Sequence, residues 1–148
     1  MTVIPIEFGT PEYDEAVGIR YDVLRKPLGL NYTVSQLQKE WADIHFACYS
    51  NQSEMLGCLI LTKLDNKTLK MRQVAVKERL QGAGVGKALV EASEAYAEMN
   101  GFDTIELNAR ANAIPFYERL GYEIVSDTFT EVGIEHKKMK KIFNGRQS

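Results

Sequence analysis

Apolar residues alternate with polar ones at the start of the chain. Val3, Ile4, Ile6 and Phe8 stand around Pro5, which predicts a short strand, and a proline that cannot donate to a ladder assigns it to a sheet edge. Thr10-Pro11 then supplies an N-cap oxygen and a first-turn proline, and Tyr13, Ala16, Val17, Tyr21 and Leu24 follow on one helical face. The segment KPLGLNY breaks this pattern into a loop. Thr33 and Gln36 form a capping box for a short helix ending near Trp41. Residues 45–49, 55–64 and 68–76 read as strands joined by NQSE and DNK, an antiparallel meander.

Beyond Val76 the period changes from two to 3.6. Val85, Ala88, Leu89, Ala92, Ala95, Tyr96 and Met99 recur at helical spacing, with Asn100-Gly101 as the stop. Residues 104–108 read as a strand, 112–120 as a short helix closed by Gly121, 122–129 as a strand and 134–143 as a last strand. The order β-α-α-β-β-β-α-β-α-β-β predicts a mixed α/β sheet, a hairpin meander followed by helix crossovers. No repeat or low-complexity linker divides residues 1–148, which read as a single domain.

Composition narrows the function classes. The 148 residues carry a net charge of −2, so the chain lacks the basic field that drives non-specific nucleic-acid binding. The first ten residues have no basic n-region and no long apolar core, and the apolar stretch MLGCLIL is far shorter than the ~20 residues a bilayer requires. A cytoplasmic protein without a membrane partner is expected. Cys48 and Cys58 lie among apolar residues with no metal-ligand spacing, which predicts buried free thiols and no metal site.

The chemically informative segment is MRQVAVKERLQGAGVGKALV. A strand ends at Val76, and Gln81-Gly82-Ala83-Gly84-Val85-Gly86-Lys87 opens the long helix. Glycines let the backbone approach a ligand closely, and N–H groups at a helix N-terminus favour an anion such as phosphate. The P-loop pattern fails, because Gln81 stands where its first glycine belongs and Ala88 where its Ser or Thr belongs. The dinucleotide fingerprint fails as well, since Lys87 falls on its last glycine.

With NARANAIPFYERLGYEIV downstream, QGAGVG after a strand resembles the GNAT superfamily of N-acetyltransferases. The resemblance is strong over residues 69–125, and the element order extends it over most of the chain. It implies a GNAT-like fold whose central sheet splays, with strands diverging around Val76 and Leu107. It also implies acetyl-CoA as co-substrate: Gln81, Gly82, Ala83, Gly84, Val85, Gly86 and Lys87 would hold the pyrophosphate, Val74, Ala75 and Val76 would pair with the pantetheine amides, and Asn112 would lie near the pantetheine. Asn112 reads equally as an N-cap on residue type alone. Tyr117 would protonate the departing thiolate; without the motif it reads as a core aromatic.

Further segments, IRYDVLRKP, MRQVAV, LNAR and GIEHKKMKK, look like the glyphosate N-acetyltransferase type of GNAT protein. That likeness implies Arg25, Arg72 and Arg110 around an anionic acceptor and His136 as base, although Glu135 replaces the usual proline before the histidine. Arg72 lies in an apolar strand on the face of Val74 and Val76, so its guanidinium must reach solvent or an anion. Arg110 follows a strand's C-terminal end. Forked guanidinium groups suit carboxylates and phosphates. An amine needs its lone pair to attack, so a base such as His136 is useful, with His45 the weaker rival.

The expected activity is direct ternary-complex transfer of an acetyl group to a small anionic amine. A protein or peptide N-acetyltransferase and a non-catalytic acyl-CoA-binding module are the alternatives. Monomer and homodimer both remain open, the strand region 129–143 offering an edge for a second subunit.

Overall fold

Two threonine hydroxyls start the helices of the first half. The Thr10 side chain accepts from the Tyr13 N–H, with Pro11 in the first turn, and opens α1 (Pro11–Arg20). Thr33 accepts from the Gln36 N–H while the Gln36 side chain accepts from the Thr33 N–H, so the expected capping box opens α2 (Val34–Gln38). The computed structural model describes residues 1–143. The other elements are β1 (Thr2–Ile6), β2 (Ile44–Tyr49), β3 (Met55–Lys63), β4 (Thr68–Val76), α3 (Val85–Met99), β5 (Thr104–Arg110), α4 (Ile114–Arg119), β6 (Glu123–Ile124), β7 (Phe129–Glu131) and β8 (Ile134–Ile142). The mixed α/β fold, with its eight-stranded sheet, agrees with the expected class. No helix among the described residues is long and apolar enough to cross a membrane.

The chain packs as two compact units, residues 1–62 with 72–94, and residues 63–71 with 95–143 of those described. β4 and α3 contribute to both. In the first unit β1 runs antiparallel to β2 and β2 to β3, in the order β1-β2-β3-β4. Pro5 sits on edge strand β1, as its missing N–H requires. Ile6, Ala16, Ile19, Ala47, Met55, Cys58 and Ala75 form one cluster of its core. Both cysteines are buried and free, and burial pushes the Cys58 thiol up to about 12. Gly57 is fixed by a close approach: a Cβ there would stand 2.7 Å from the Ala75 carbonyl oxygen and 3.1 Å from Val85, the first residue of α3.

α1 departs from the expected face. It ends at Arg20, and a π-turn over Tyr21–Arg25 closes with the Lys26 N–H donating to the Tyr21 carbonyl. The buried residues of α1 are Tyr13, Ala16, Ile19 and Arg20, while Val17, Tyr21 and Leu24 are only half-buried. Arg20 is buried because Glu40 meets it in a two-pronged ion pair of 2.9 and 2.8 Å, while the Tyr13 hydroxyl donates to the same carboxylate at 2.9 Å.

In the second unit the first half of β4 pairs in parallel with β5, and β5 pairs antiparallel with β8. β6 and β7 pair with β8 on its opposite edge. β8 is therefore an interior strand of the unit, which removes it as a free edge for a second subunit. The single strand expected over 122–129 is two strands, β6 and β7. Ser126 explains the break: its hydroxyl accepts the Lys138 N–H at 2.8 Å and donates to the Asp127 carbonyl at 2.9 Å, displacing a regular ladder bond. Leu69, Ile105, Leu107 and Met139 are buried on one sheet face, cross-strand partners in register.

Candidate active site

The glycine-rich turn opens α3 in the first unit. Gly82 and Gly84 have φ of 89° and 91°, a conformation an L side chain resists. The Gln81 N–H donates to Glu78 at 3.3 Å, the Ala83 N–H to Leu80 at 3.1 Å, and the first helical bond runs from the Ala88 N–H to Gly84 at 3.0 Å. Among the described residues the N–H groups of Gly82, Gly84, Val85, Gly86 and Lys87 thus have no acceptor. Unpaired donors at the positive end of a fifteen-residue helix form an anion cradle that fits a pyrophosphate. The Gln81 amide folds back instead, donating to the Val76 carbonyl at 3.3 Å, and Lys87 is exposed beside the cradle.

β4 leads into this turn. Its parallel pairs with β5 run from Thr68↔Thr104 to Met71↔Leu107 and stop there, so Val74, Ala75 and Val76 carry no β5 register partner. Two residues past the last pair, Gln73 adopts φ 55°. Holding a non-glycine residue in that region costs about 1–2 kcal/mol, and it interrupts the alternation that would place Arg72, Val74 and Val76 on one simple face. The Gln73 side chain accepts the Tyr32 hydroxyl at 2.6 Å.

Arg72 does reach an anion, and that anion belongs to the protein. Its guanidinium lies 3.6 Å from the Asp43 carboxylate and donates to the Thr62 hydroxyl at 3.1 Å, with the side chain 35% exposed. Burial raises the Asp43 carboxyl, opposed by Thr62 and Arg72. Arg25 stacks its guanidinium 4.4 Å from the Tyr32 ring centroid and donates to the Asn31 carbonyl at 3.4 Å.

The second unit carries Tyr117 and His136. Tyr117 lies on α4, 7% exposed, with the Phe116 and Tyr122 rings 4.9 and 5.9 Å away. Burial pushes its phenol up, which keeps the proton on the oxygen and suits a donor rather than a base. The Lys141 ammonium donates to the Leu120 carbonyl at 2.7 Å, stabilising the negative end of α4. Asn112 is exposed in the turn Ala111–Ala113; Ala113 occupies the N-cap of α4, so the capping alternative for Asn112 does not hold.

Arg110, His136 and Phe129 form one rank across β5, β8 and β7. Directly opposed residues share a sheet face. His136 is 4% exposed and stacks on Phe129 at 5.9 Å. Its Nδ1 lies 2.8 Å from the Ile134 carbonyl. A carbonyl only accepts, so Nδ1 carries the proton and neutral His136 keeps its lone pair on Nε2. His45, by contrast, places Nε2 2.9 Å from the Glu40 carbonyl inside the buried ion-pair cluster. Among the described residues no group of three His, Cys, Asp or Glu side chains is placed to hold a metal.

A family model described as the acetyltransferase (GNAT) domain matches residues 30–143. The chain belongs to this GNAT family. YjcF of Bacillus subtilis (strain 168), named an uncharacterized N-acetyltransferase, is 36% identical over 73 residues, covering 49% of this chain and 52% of YjcF. The chain spans about half the length of the curated relatives it matches. Among solved structures, an aminoglycoside 6'-N-acetyltransferase complexed with coenzyme A superposes with a TM-score of 0.79 at 17% identity, covering all of both chains. ElaA of Escherichia coli gives a TM-score of 0.79 at 19% identity over 95% of this chain and 98% of its own. At these identities the likeness establishes a shared GNAT fold.

Three polar positions of this GNAT domain escape a reading from sequence. Tyr32 and Gln73 are paired across 41 positions, with no local signal for a left-handed glutamine. Asn108 donates its amide to Glu131 at 3.0 Å, while its own Oδ1 is buried without a partner.

Proposed function

We propose that this chain is an acetyl-CoA-dependent N-acetyltransferase that transfers directly to the amine of a small anionic acceptor. One observation carries the donor half: the N–H groups at the start of α3 lack acceptors, directly after a strand end that has left its β5 partner. Acetyl-CoA supplies an activated acyl carbon on a thiol leaving group. The turn from Gln81 to Lys87 holds the pyrophosphate through Gly82, Gly84, Val85, Gly86 and Lys87, and Val74–Val76 offer main-chain groups to the pantetheine amides.

His136 Nε2 takes a proton from the acceptor's ammonium, freeing the lone pair that attacks, and Tyr117 donates its phenolic proton to the departing sulfur. Arg25, Arg72 and Arg110 receive the acceptor's anionic group. Arg72 does so beside Asp43, whose carboxylate offsets part of its charge. The buried Cys48 and Cys58 leave no reactive thiol for an acyl-enzyme, which favours direct transfer.

Thiol release from acetyl-CoA across amino acids, aminophosphonates and polyamines tests this reading. Turnover concentrated on amines with an acidic group is expected. Preference for polyamines overturns the anionic acceptor, and silence across small amines with intact coenzyme A binding redirects the reading to a peptide acceptor or a binding module.

A further inference from the structure

We infer that Tyr32 is a positioning residue for acetyl-donor binding, acting through Gln73 on the open end of β4; this rests on the reading of Val74–Val76 as the donor-binding edge. The motifs at Gln81–Lys87 and Tyr117 do not include either residue. Gln73 is left-handed at φ 55° and directly precedes that edge. A strained turn in a strand persists only when its surroundings hold it. Here the hold is a short side-chain hydrogen bond, Tyr32 Oη to Gln73 Oε1 at 2.6 Å.

The phenol is itself immobilised from two directions. Its ring carries the Arg20 guanidinium at 4.8 Å and the Arg25 guanidinium at 4.4 Å from the centroid. Arg20 cannot drift, because Glu40 binds it through both carboxylate oxygens in a buried pair. The Tyr32 backbone is fixed as well, since the next residue, Thr33, is the N-cap of α2 with a complete capping box. A rigid line of contacts therefore runs from Glu40 through Arg20 and Tyr32 to Gln73, and it sets the direction in which β4 leaves its kink. Val74, Ala75 and Val76 inherit that direction, so losing the phenolic hydroxyl lets the strand end relax toward regular extended geometry and misaligns its main-chain groups.

The test is a double-mutant cycle on full-length protein, with coenzyme A affinity by calorimetry and KM for acetyl-CoA by thiol release. Tyr32→Phe keeps the ring and its cation stacking and removes the hydroxyl. It is expected to weaken coenzyme A binding and raise KM by about five- to tenfold, the worth of one net hydrogen bond, with KM rather than kcat carrying the loss. Gln73→Gly adopts the same turn without strain and has no side-chain oxygen to accept the Tyr32 hydroxyl. In that background the Tyr32→Phe effect should vanish, whereas a packing role for Tyr32 would survive unchanged. Unaltered coenzyme A affinity in Tyr32→Phe, or an equal loss in both backgrounds, overturns the inference. Gly84→Val keeps the two levels apart: if the native protein binds coenzyme A and this variant does not, the donor site stands whatever Tyr32 does. Failure of the native protein to bind coenzyme A overturns the donor site itself, and the role of Tyr32 with it.

Discussion

Arg20 grips Glu40 with Nη1 on Oε1 at 2.9 Å and Nη2 on Oε2 at 2.8 Å, both side chains almost wholly buried. Burial alone works to raise the Glu40 carboxyl, but the Arg20 hydrogen bonds outweigh it and hold the carboxyl low. A carboxyl lower in the folded than in the unfolded chain contributes stability that is present above its unfolded value and lost as pH falls through the folded one. Glu40→Leu strands a buried guanidinium and is expected to cost about 3–5 kcal/mol, whereas Arg20→Met with Glu40→Leu recovers most of that loss. Urea melts at neutral and acidic pH check both points: the native chain should lose more stability on acidification than the double variant.

Gly57 has no room for a methyl group. Its Cβ would press on the Ala75 carbonyl at 2.7 Å, a backbone atom that cannot turn aside, and on the Val85 and Leu89 side chains of α3 at 3.1 and 3.3 Å. Gly57→Ala should cost about 1–3 kcal/mol as an overpacked site. Because Val85 begins α3, the displaced helix start should also weaken coenzyme A binding. A thermal melt and a coenzyme A titration of the one variant read the two effects; a normal melting temperature would contradict the close packing.

What could be read ahead of the structure was local. Thr10-Pro11 and Thr33 with Gln36 declare helix starts within four residues, and the glycines at 82 and 84 declare a turn that only they adopt easily. Interactions between distant residues were not legible. Arg72 announced by residue type that it needed an anion, yet nothing near it in sequence says that Asp43 supplies one. Ser126 splits a strand by taking the Lys138 N–H, a choice between two hydrogen bonds that periodicity cannot register. Gln73 enters the left-handed region because a distant tyrosine holds it there, against its own preference.

Tyr117 combines burial with a phenol pushed up, so it keeps its proton at neutral pH. If that proton goes to the leaving sulfur, Tyr117→Phe lowers kcat by about 10²–10⁴-fold while the affinity for coenzyme A changes little. The ring contacts to Phe116 and Tyr122 are kept in phenylalanine, so the fold should be preserved. Single-turnover kinetics at saturating acetyl-CoA read the step directly. An unchanged rate would assign Tyr117 to the core alone.

His136 offers a rescue test of proton removal. The Ile134 carbonyl takes the Nδ1 proton, leaving Nε2 as the basic nitrogen, and stacking on Phe129 fixes the ring plane. His136→Asn retains a donor for the Ile134 carbonyl without supplying a base. If His136 removes the acceptor's proton, this variant should lower the rate by about 10²-fold or more while the affinity for coenzyme A changes little. An unchanged rate would move proton removal to another group. Rescue of His136→Ala by added imidazole would place the proton transfer at this position.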